Sequence, residues 1–187
     1  MLSEADQAAM SSGEISFVPV TASDLPQLRR WMDMPHWREW WGDPEVEIEQ
    51  IRGMVEGRDT TRPYLFHLDG APIGYIQFWF IADARYEPWI TEAPWIMELP
   101  NEAVGLDLSI GSENALSKGL GSRALRQLAM QLWGDGHRQI VIDPDPKNGR
   151  AVRAYEKAGF RVMPEFESRT GDCLLMRFHP DNNEQCQ

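Results

Sequence analysis

Cysteine is nearly absent from this chain. Its 187 residues hold two, Cys173 and Cys186, too few for a disulfide framework, and the four histidines follow no zinc-ligand spacing. No metal is expected, and a reducing cytoplasm is the expected location. Long apolar runs are also missing. No stretch approaches the ~20 residues of a membrane span, and Met1 to Gly13 lacks the basic start and apolar run of a signal peptide. Positive charge is scarce as well. Against 29 Asp plus Glu stand 18 Lys plus Arg, a formal charge of -11, which repels nucleic acid and anionic membrane and favours a cationic ligand. Repeats and low-complexity tracts do not occur.

The length and the 42% hydrophobic content suit one sizeable core. A single domain is expected over 14–180, between a disordered leader (1–13) and an acidic tail (181–187). Glu14 to Val20 alternates polar and apolar residues, which predicts a first strand. Ser23 or Asp24 can cap a helix carrying Leu25, Leu28, Trp31 and Met32 on one face, stopped by Pro35. A second helix from about Pro44 carries Val46, Ile48, Ile51 and Val55. Tyr64–Leu68 and Ile73–Phe80 flank Asp69-Gly70, a hairpin turn dipeptide. Ile81 to Asn101, with several prolines and no period, is expected as a long surface loop. A strand over 103–110, a helix from about Gly119 to Trp133, a strand over 139–142 and a helix over 149–158 ended by Gly159 follow. Strands over 160–166 and 174–178, around the turn Thr170-Gly171-Asp172, close the pattern. The order predicts an α/β (α+β) fold with a mixed, mostly antiparallel sheet flanked by helices.

Ser117-Lys118-Gly119-Leu120-Gly121-Ser122 places two glycines at a helix start. Unpaired amides there carry partial positive charge and suit a phosphate, with Lys118 and Ser122 available to add contacts. Neither the Walker pattern nor the dinucleotide fingerprint is complete, since Ala124 stands where the third glycine would be. Close helix-to-strand packing is the competing explanation of the glycines.

The run from Ile142-Asp143-Pro144 through Asn148, Ala151, Tyr155, Lys157 and Gly159-Phe160, joined to that turn, resembles the GCN5-related N-acetyltransferase (GNAT) family. The chain departs from the family pattern at Leu116, where many members carry Gln or Arg. Within the family it is most similar to aminoglycoside 6′-N-acetyltransferases, through Pro35-His36-Trp37-Arg38-Glu39-Trp40-Trp41-Gly42, Pro63-Tyr64, Ile73-Gly74-Tyr75-Ile76-Gln77, Gly105-Leu106-Asp107 and Ile142-Asp143-Pro144.

The resemblance implies a GNAT-type fold, acetyl-CoA as cofactor and a small cationic amine as substrate, in a cytoplasmic monomer or homodimer. Asp107 would be the base and Tyr155 the donor to the leaving sulfur. Their competing explanations are a solvated carboxylate and a core tyrosine. Leu108, Ser109 and Ile110 would offer backbone amides to the acyl group and pantetheine. Lys118, Gly119, Leu120, Gly121, Ser122, Asn148 and Lys157 would complete the cofactor site. Trp40, Trp41, Tyr64, Gln77, Glu98 and Asp143 would line the acceptor side, with core packing the alternative for the tryptophans. The expected function is N-acetylation of an aminoglycoside 6′-amine, giving antibiotic resistance. The alternatives are a siderophore-pathway acyltransferase acting on hydroxylysine, which His36 and Trp40 also suit, and a non-catalytic acetyl-CoA-binding module.

Overall fold

Alternation after the leader produces strand β1, Ile15–Pro19. Asp24 stands at the cap position of the first helix, as expected, but its side chain serves the preceding turn rather than the helix. Thr21 opens a 3-10 turn over Ala22–Asp24, and the Asp24 carboxylate accepts from the Thr21 backbone N–H at 2.8 Å and its hydroxyl at 2.7 Å. Helix α1, Leu25–Met32, then buries Leu25, Leu28, Trp31 and Met32, the residues its 3.6 period brings to one face. Pro35 does more than stop it. Having a fixed φ and no N–H, it is the first residue of a short helix α2, Pro35–Arg38. Helix α3, Pro44–Val55, is capped by Asp43, whose carboxylate accepts from Glu45 N–H at 2.8 Å. It buries Ile48 and Ile51 but leaves Val46 54% exposed. Two helical steps rotate Val46 about 200° from Ile48, so it cannot share that face.

Strands β2, Arg62–Leu68, and β3, Ala71–Phe80, are joined by Asp69 (φ 50°) and Gly70 (φ 81°). A two-residue loop with both φ positive matches the twist of a hairpin.

The stretch from Ile81 to Asn101 is not a surface loop. It forms a 3-10 turn at Ile81–Ala84, a short helix α4 at Trp89–Glu92 and a second 3-10 turn at Pro94–Met97, and it buries Ile81, Trp95, Ile96 and Leu99. Each piece spans four residues, too few for a period to show. Arg85 ties the stretch together, donating to the carbonyls of Ile96 and Leu99 and to the Asn101 side chain.

Strand β4, Val104–Ile110, precedes helix α5, Leu120–Gly134, which buries Leu120, Ala124, Leu125, Leu128 and Leu132. Strand β5, Ile140–Ile142, and helix α6, Gly149–Ala158, come next, α6 ending on Gly159 at φ 107°. Strands β6, Phe160–Val162, and β7, Met176–Phe178, are shorter than expected. Pro164 cannot donate to a ladder and opens a 3-10 turn at Pro164–Phe166 instead.

The strands form one sheet in the order β1-β2-β3-β4-β5-β7-β6. β1/β2, β5/β7 and β6/β7 are antiparallel, and β4/β5 is parallel. The computed structural model describes residues 13–167, 170 and 173–180. Residues 1–12, the tail 181–187 and Gly171-Asp172 of the expected last turn lie outside them. The chain divides into two compact units, Met1–Gln77 with Leu108–Ala124 and Phe78–Asp107 with Leu125–Gln187. The first has a core built on Leu28, Trp31, Met32, Trp37, Ile51 and Tyr75. The second is built on Ile81, Trp95, Ile96, Ala103, Val141 and Phe166. Among the described residues no helix is long and apolar enough to cross a membrane.

The burial of Trp95 makes a test of the reassigned stretch. Trp95→Ala should cost ~3–5 kcal/mol of stability, the range for emptying a buried aromatic site. Urea unfolding measures it, and a loss below about 0.5 kcal/mol would return residues 81–101 to the surface.

Candidate active site

In the second unit, β4 and β5 pair at Val104↔Ile140 and Gly105↔Val141, an offset of 36 residues. Asp107 and Asp143 are separated by the same 36, each two residues past the last paired position of its strand, and the Asp107 charge acts on the Asp143 carboxyl. β5 ends at Ile142, immediately before Asp143. A Cβ on Gly105 would meet the Trp79 indole at 2.2 Å, so only glycine lets that ring lie against β4.

The electrostatics follow from this placement. Asp143 keeps some accessible surface as a residue, yet its carboxyl is enclosed by protein. Burial first, and the neighbouring Asp107 charge second, hold it well above the usual carboxylate range. Tyr155, buried within α6, is pushed up by the same causes in the same order, desolvation and then the charges of Asp107 and Asp143. Its phenol therefore stays protonated. Asp107, Asp143 and Tyr155 are thus brought within electrostatic reach of one another. Together they offer a carboxyl pair with raised proton affinity beside a phenol that does not ionise.

Two other predicted residues of this unit have structural roles of their own. Asn148 caps α6, its Oδ1 accepting from Ala151 N–H at 3.1 Å, so its amide NH2 is the half a ligand would meet. Lys157 is exposed in the last turn of α6, where positive charge complements the helix C-terminus. Glu98 is exposed at the end of the Pro94–Met97 turn.

In the first unit, Gly111 N–H donates to the Ile73 carbonyl at 2.8 Å, and a Cβ on Gly74 would approach the Ser109 carbonyl to 2.6 Å. The peptide groups of Ser109 and Gly111 thus face β3, and strand alternation turns those of Leu108 and Ile110 to the opposite side. On that side β4 carries β5 only as far as Gly105. Of the predicted trio, Leu108 and Ile110 are the ones with backbone directed away from the β3 ladder.

The glycine turn splits the two explanations between its glycines. Gly119 takes φ 76° with open space where a Cβ would stand, and Ser117 before it takes φ 60°. A Cβ on Gly121 would come within 3.3 Å of Leu108 Cδ2, so Gly121 serves close packing of α5 on β4. The first intrahelical bond there is Arg123 N–H to Gly119 O at 3.1 Å. The amides of Leu120, Gly121 and Ser122 stand ahead of it and fit a phosphate. Ser122 Oγ donates to Gly119 O at 2.9 Å, which ties the turn; Lys118 is half-buried beside it.

Trp41 packs on Trp37 (ring centroids 4.9 Å apart) and edge-on to Tyr75 (5.7 Å), and the Tyr75 hydroxyl donates to Gln77 Oε1. The predicted Trp41 and Gln77 therefore share one aromatic cluster through two buried residues not foreseen as site residues, Trp37 and Tyr75. Period-2 alternation puts Tyr75 and Gln77 on one strand face, which is the signal that could have found Tyr75. Trp40 is half-buried, and Tyr64 packs edge-on against Phe17 at 6.4 Å.

Residues 20–168 match the family described as the acetyltransferase (GNAT) domain. The chain belongs to the GNAT acetyltransferase family. It is 34% identical over 173 residues to the aminoglycoside N(6′)-acetyltransferase type 1 of Klebsiella pneumoniae, covering 89% of this chain and 83% of that protein. Among solved structures it is similar to AAC(6′)-Ib bound to paromomycin and acetyl-CoA, at 28% identity and TM-score 0.76, over 92% of this chain and 99% of the other. The same enzyme with coenzyme A and kanamycin aligns at 30% identity and TM-score 0.74, over 88% and 94%.

The buried acid pair has a sign that stability can report. A carboxyl with a folded pKa above its unfolded value resists ionising in the folded state. Its penalty is absent below the unfolded value near 4 and grows as pH rises from there through the folded value. Asp143→Asn should therefore match the parent in stability near pH 4 and exceed it near pH 8, by at least about 1 kcal/mol, the worth of roughly one pKa unit. Urea unfolding at the two pH values checks this; an equal difference at both would remove the buried-acid assignment.

Proposed function

We infer that this GNAT enzyme acetylates a primary amine of an aminoglycoside, most specifically the 6′-amine, using acetyl-CoA and conferring antibiotic resistance. The observation that carries the reading is the Asp107–Asp143 pair beside a protonated Tyr155. Acylation needs a neutral amine, and at neutral pH an alkylammonium must first lose a proton. An ordinary carboxylate with a pKa near 4 is a poor acceptor for it. A carboxyl pair raised by burial and mutual repulsion is a better one, and the proton is best assigned to the pair as a unit. Asp107 holds the ammonium by charge while Asp143 raises the pair's proton affinity.

Acetyl-CoA supplies an activated acetyl group as a thioester. The amides of Leu120, Gly121 and Ser122, with Lys118 near them, would hold its pyrophosphate. The backbone of Leu108 and Ile110 would hydrogen-bond its acyl and pantetheine portion. Tyr155 keeps its phenolic proton for the sulfur that departs. Trp40, Trp41, Tyr64, Gln77 and Glu98 are the proposed acceptor contacts, where ring faces and hydrogen-bond acceptors suit a polyamine on a rigid sugar body. The formal charge of -11 favours the approach of such a substrate at long range.

Two measurements test this. Thiol release from acetyl-CoA with kanamycin as acceptor should be catalysed, with the Michaelis constant for kanamycin rising between 0.05 and 0.5 M salt, roughly the range over which the Debye length falls from above 10 Å toward 3 Å. Turnover of hydroxylysine but of no aminoglycoside would overturn the substrate assignment. Tyr155→Phe should lower kcat by roughly a hundredfold, within the span of a lost general acid, and leave the Michaelis constant for acetyl-CoA within about threefold. Unchanged turnover in that variant would reduce Tyr155 to a core residue.

A further inference from the structure

His36 is a buried polar side chain that the acetyl-transfer chemistry above does not use, and it is 8% exposed. Its Nε2 lies 2.7 Å from the Ile110 carbonyl oxygen, which also accepts from Trp37 Nε1–H at 2.8 Å. A carbonyl only accepts, so His36 Nε2 carries its proton. Nδ1 makes no hydrogen bond among the described residues and faces a Glu113 carboxylate oxygen at 3.9 Å.

The position of that carbonyl gives the pair its meaning. Ile110 is the last residue of β4, and its C=O points away from β3. On that side the donors are His36 and Trp37, consecutive in the short helix α2. The other half of the same peptide group, Gly111 N–H, is bound to Ile73. A Cβ on Gly111 would strike the Trp31 indole at 2.2 Å, so the strand end is also fixed from its side-chain face. One peptide unit is therefore held from three directions. The backbone just before it, from Leu108 to Ile110, cannot swing toward or away from β3 without breaking buried bonds.

We propose that His36, with Trp37, is a positioning residue for acetyl transfer: by capping the Ile110 carbonyl it holds the end of β4 so that the Leu108 and Ile110 amides are set toward the acyl group. This rests on the reading of those amides as cofactor contacts. A core histidine kept only for packing would be replaceable by an apolar side chain of similar size. A positioning histidine requires a donor at the Nε2 position, which Gln can present and Leu cannot.

The experiment compares His36→Leu, His36→Gln and Trp37→Phe with the parent, by steady-state kinetics in both substrates and by calorimetric titration of acetyl-CoA and kanamycin separately. His36→Leu should lower kcat/KM for acetyl-CoA about tenfold, the effect of leaving one buried acceptor a donor short, with kanamycin affinity within about twofold. His36→Gln should recover most of the loss, and Trp37→Phe should show a milder loss of the same kind. Should His36→Leu not fold, His36→Asn, whose amide is too short to reach Ile110, takes its place with the same expected loss. Parent-like kinetics in the Leu or Asn variant, equal losses toward cofactor and amine, or no recovery with Gln overturns the proposal. A parent protein that binds acetyl-CoA but turns over no amine defeats the functional reading alone, and the titration of acetyl-CoA into the variants then decides this one. A parent that does not bind acetyl-CoA defeats both.

Discussion

The parallel pairing of β4 with β5 is short, and it stops just before Asp107 and Asp143. β5 is three residues long because Asp143-Pro144-Asp145-Pro146 follows it. Proline has no N–H to give and cannot continue an interior strand flanked on both sides, as β5 is by β4 and β7. The ladder therefore ends two residues short of Asp107 and Asp143, whose carboxyls interact electrostatically. β4 itself runs on to Ile110, its backbone still paired toward β3 and no longer paired toward β5.

Placing two carboxylates together under partial burial costs folding free energy, since each disfavours ionisation of the other and neither is fully solvated. No Lys or Arg is among the causes that set the Asp143 or Tyr155 proton affinities. An arginine there would relieve the repulsion and lower the carboxyl's proton affinity, which removes the property that suits it to accept a proton from an ammonium. At Asp143 the arrangement therefore costs stability once the pH exceeds the ordinary carboxylate range.

Much of this was legible in the sequence because local rules and tertiary context agreed. The α1, α5 and α6 faces, the Asp69-Gly70 hairpin and the Gly159 cap each follow from one dominant constraint, periodicity or positive φ. The family resemblance pointed to Asp107, Asp143 and Tyr155, and the structure brings those three together. The failures also have physical causes. The stretch from Ile81 to Asn101 folds as four-residue turns, below the length at which a period can register, and its burial is set by Trp95 and Ile96 packing rather than by any local pattern. Gly119 and Gly121 look alike in sequence, yet only the direction of the missing Cβ separates an open approach from a packed one. The pinning of Ile110 by His36 joins residues 74 apart in sequence, and no local signal encodes it.

Parity along β4 fixes which face each of its residues takes. Side chains and peptide groups both alternate, so the face taken by Asp107 and the side taken by the Leu108 and Ile110 peptides are fixed by one register. A slip of one residue would turn Asp107 to the other face and direct Leu108 and Ile110 into the β3 ladder together. Two glycines of equal parity prevent that slip. Gly105 admits the Trp79 indole and Gly111 the Trp31 indole, each at a place where a Cβ would stand 2.2 Å from ring atoms. A slip one way would bring Leu106 and Ser112 to those places and a slip the other way Val104 and Ile110, and none of the four can accept an indole where its Cβ would stand. Trp79, partly buried against the core, therefore has a consequence beyond packing: by demanding glycine at 105 it fixes the face that Asp107 takes two residues on.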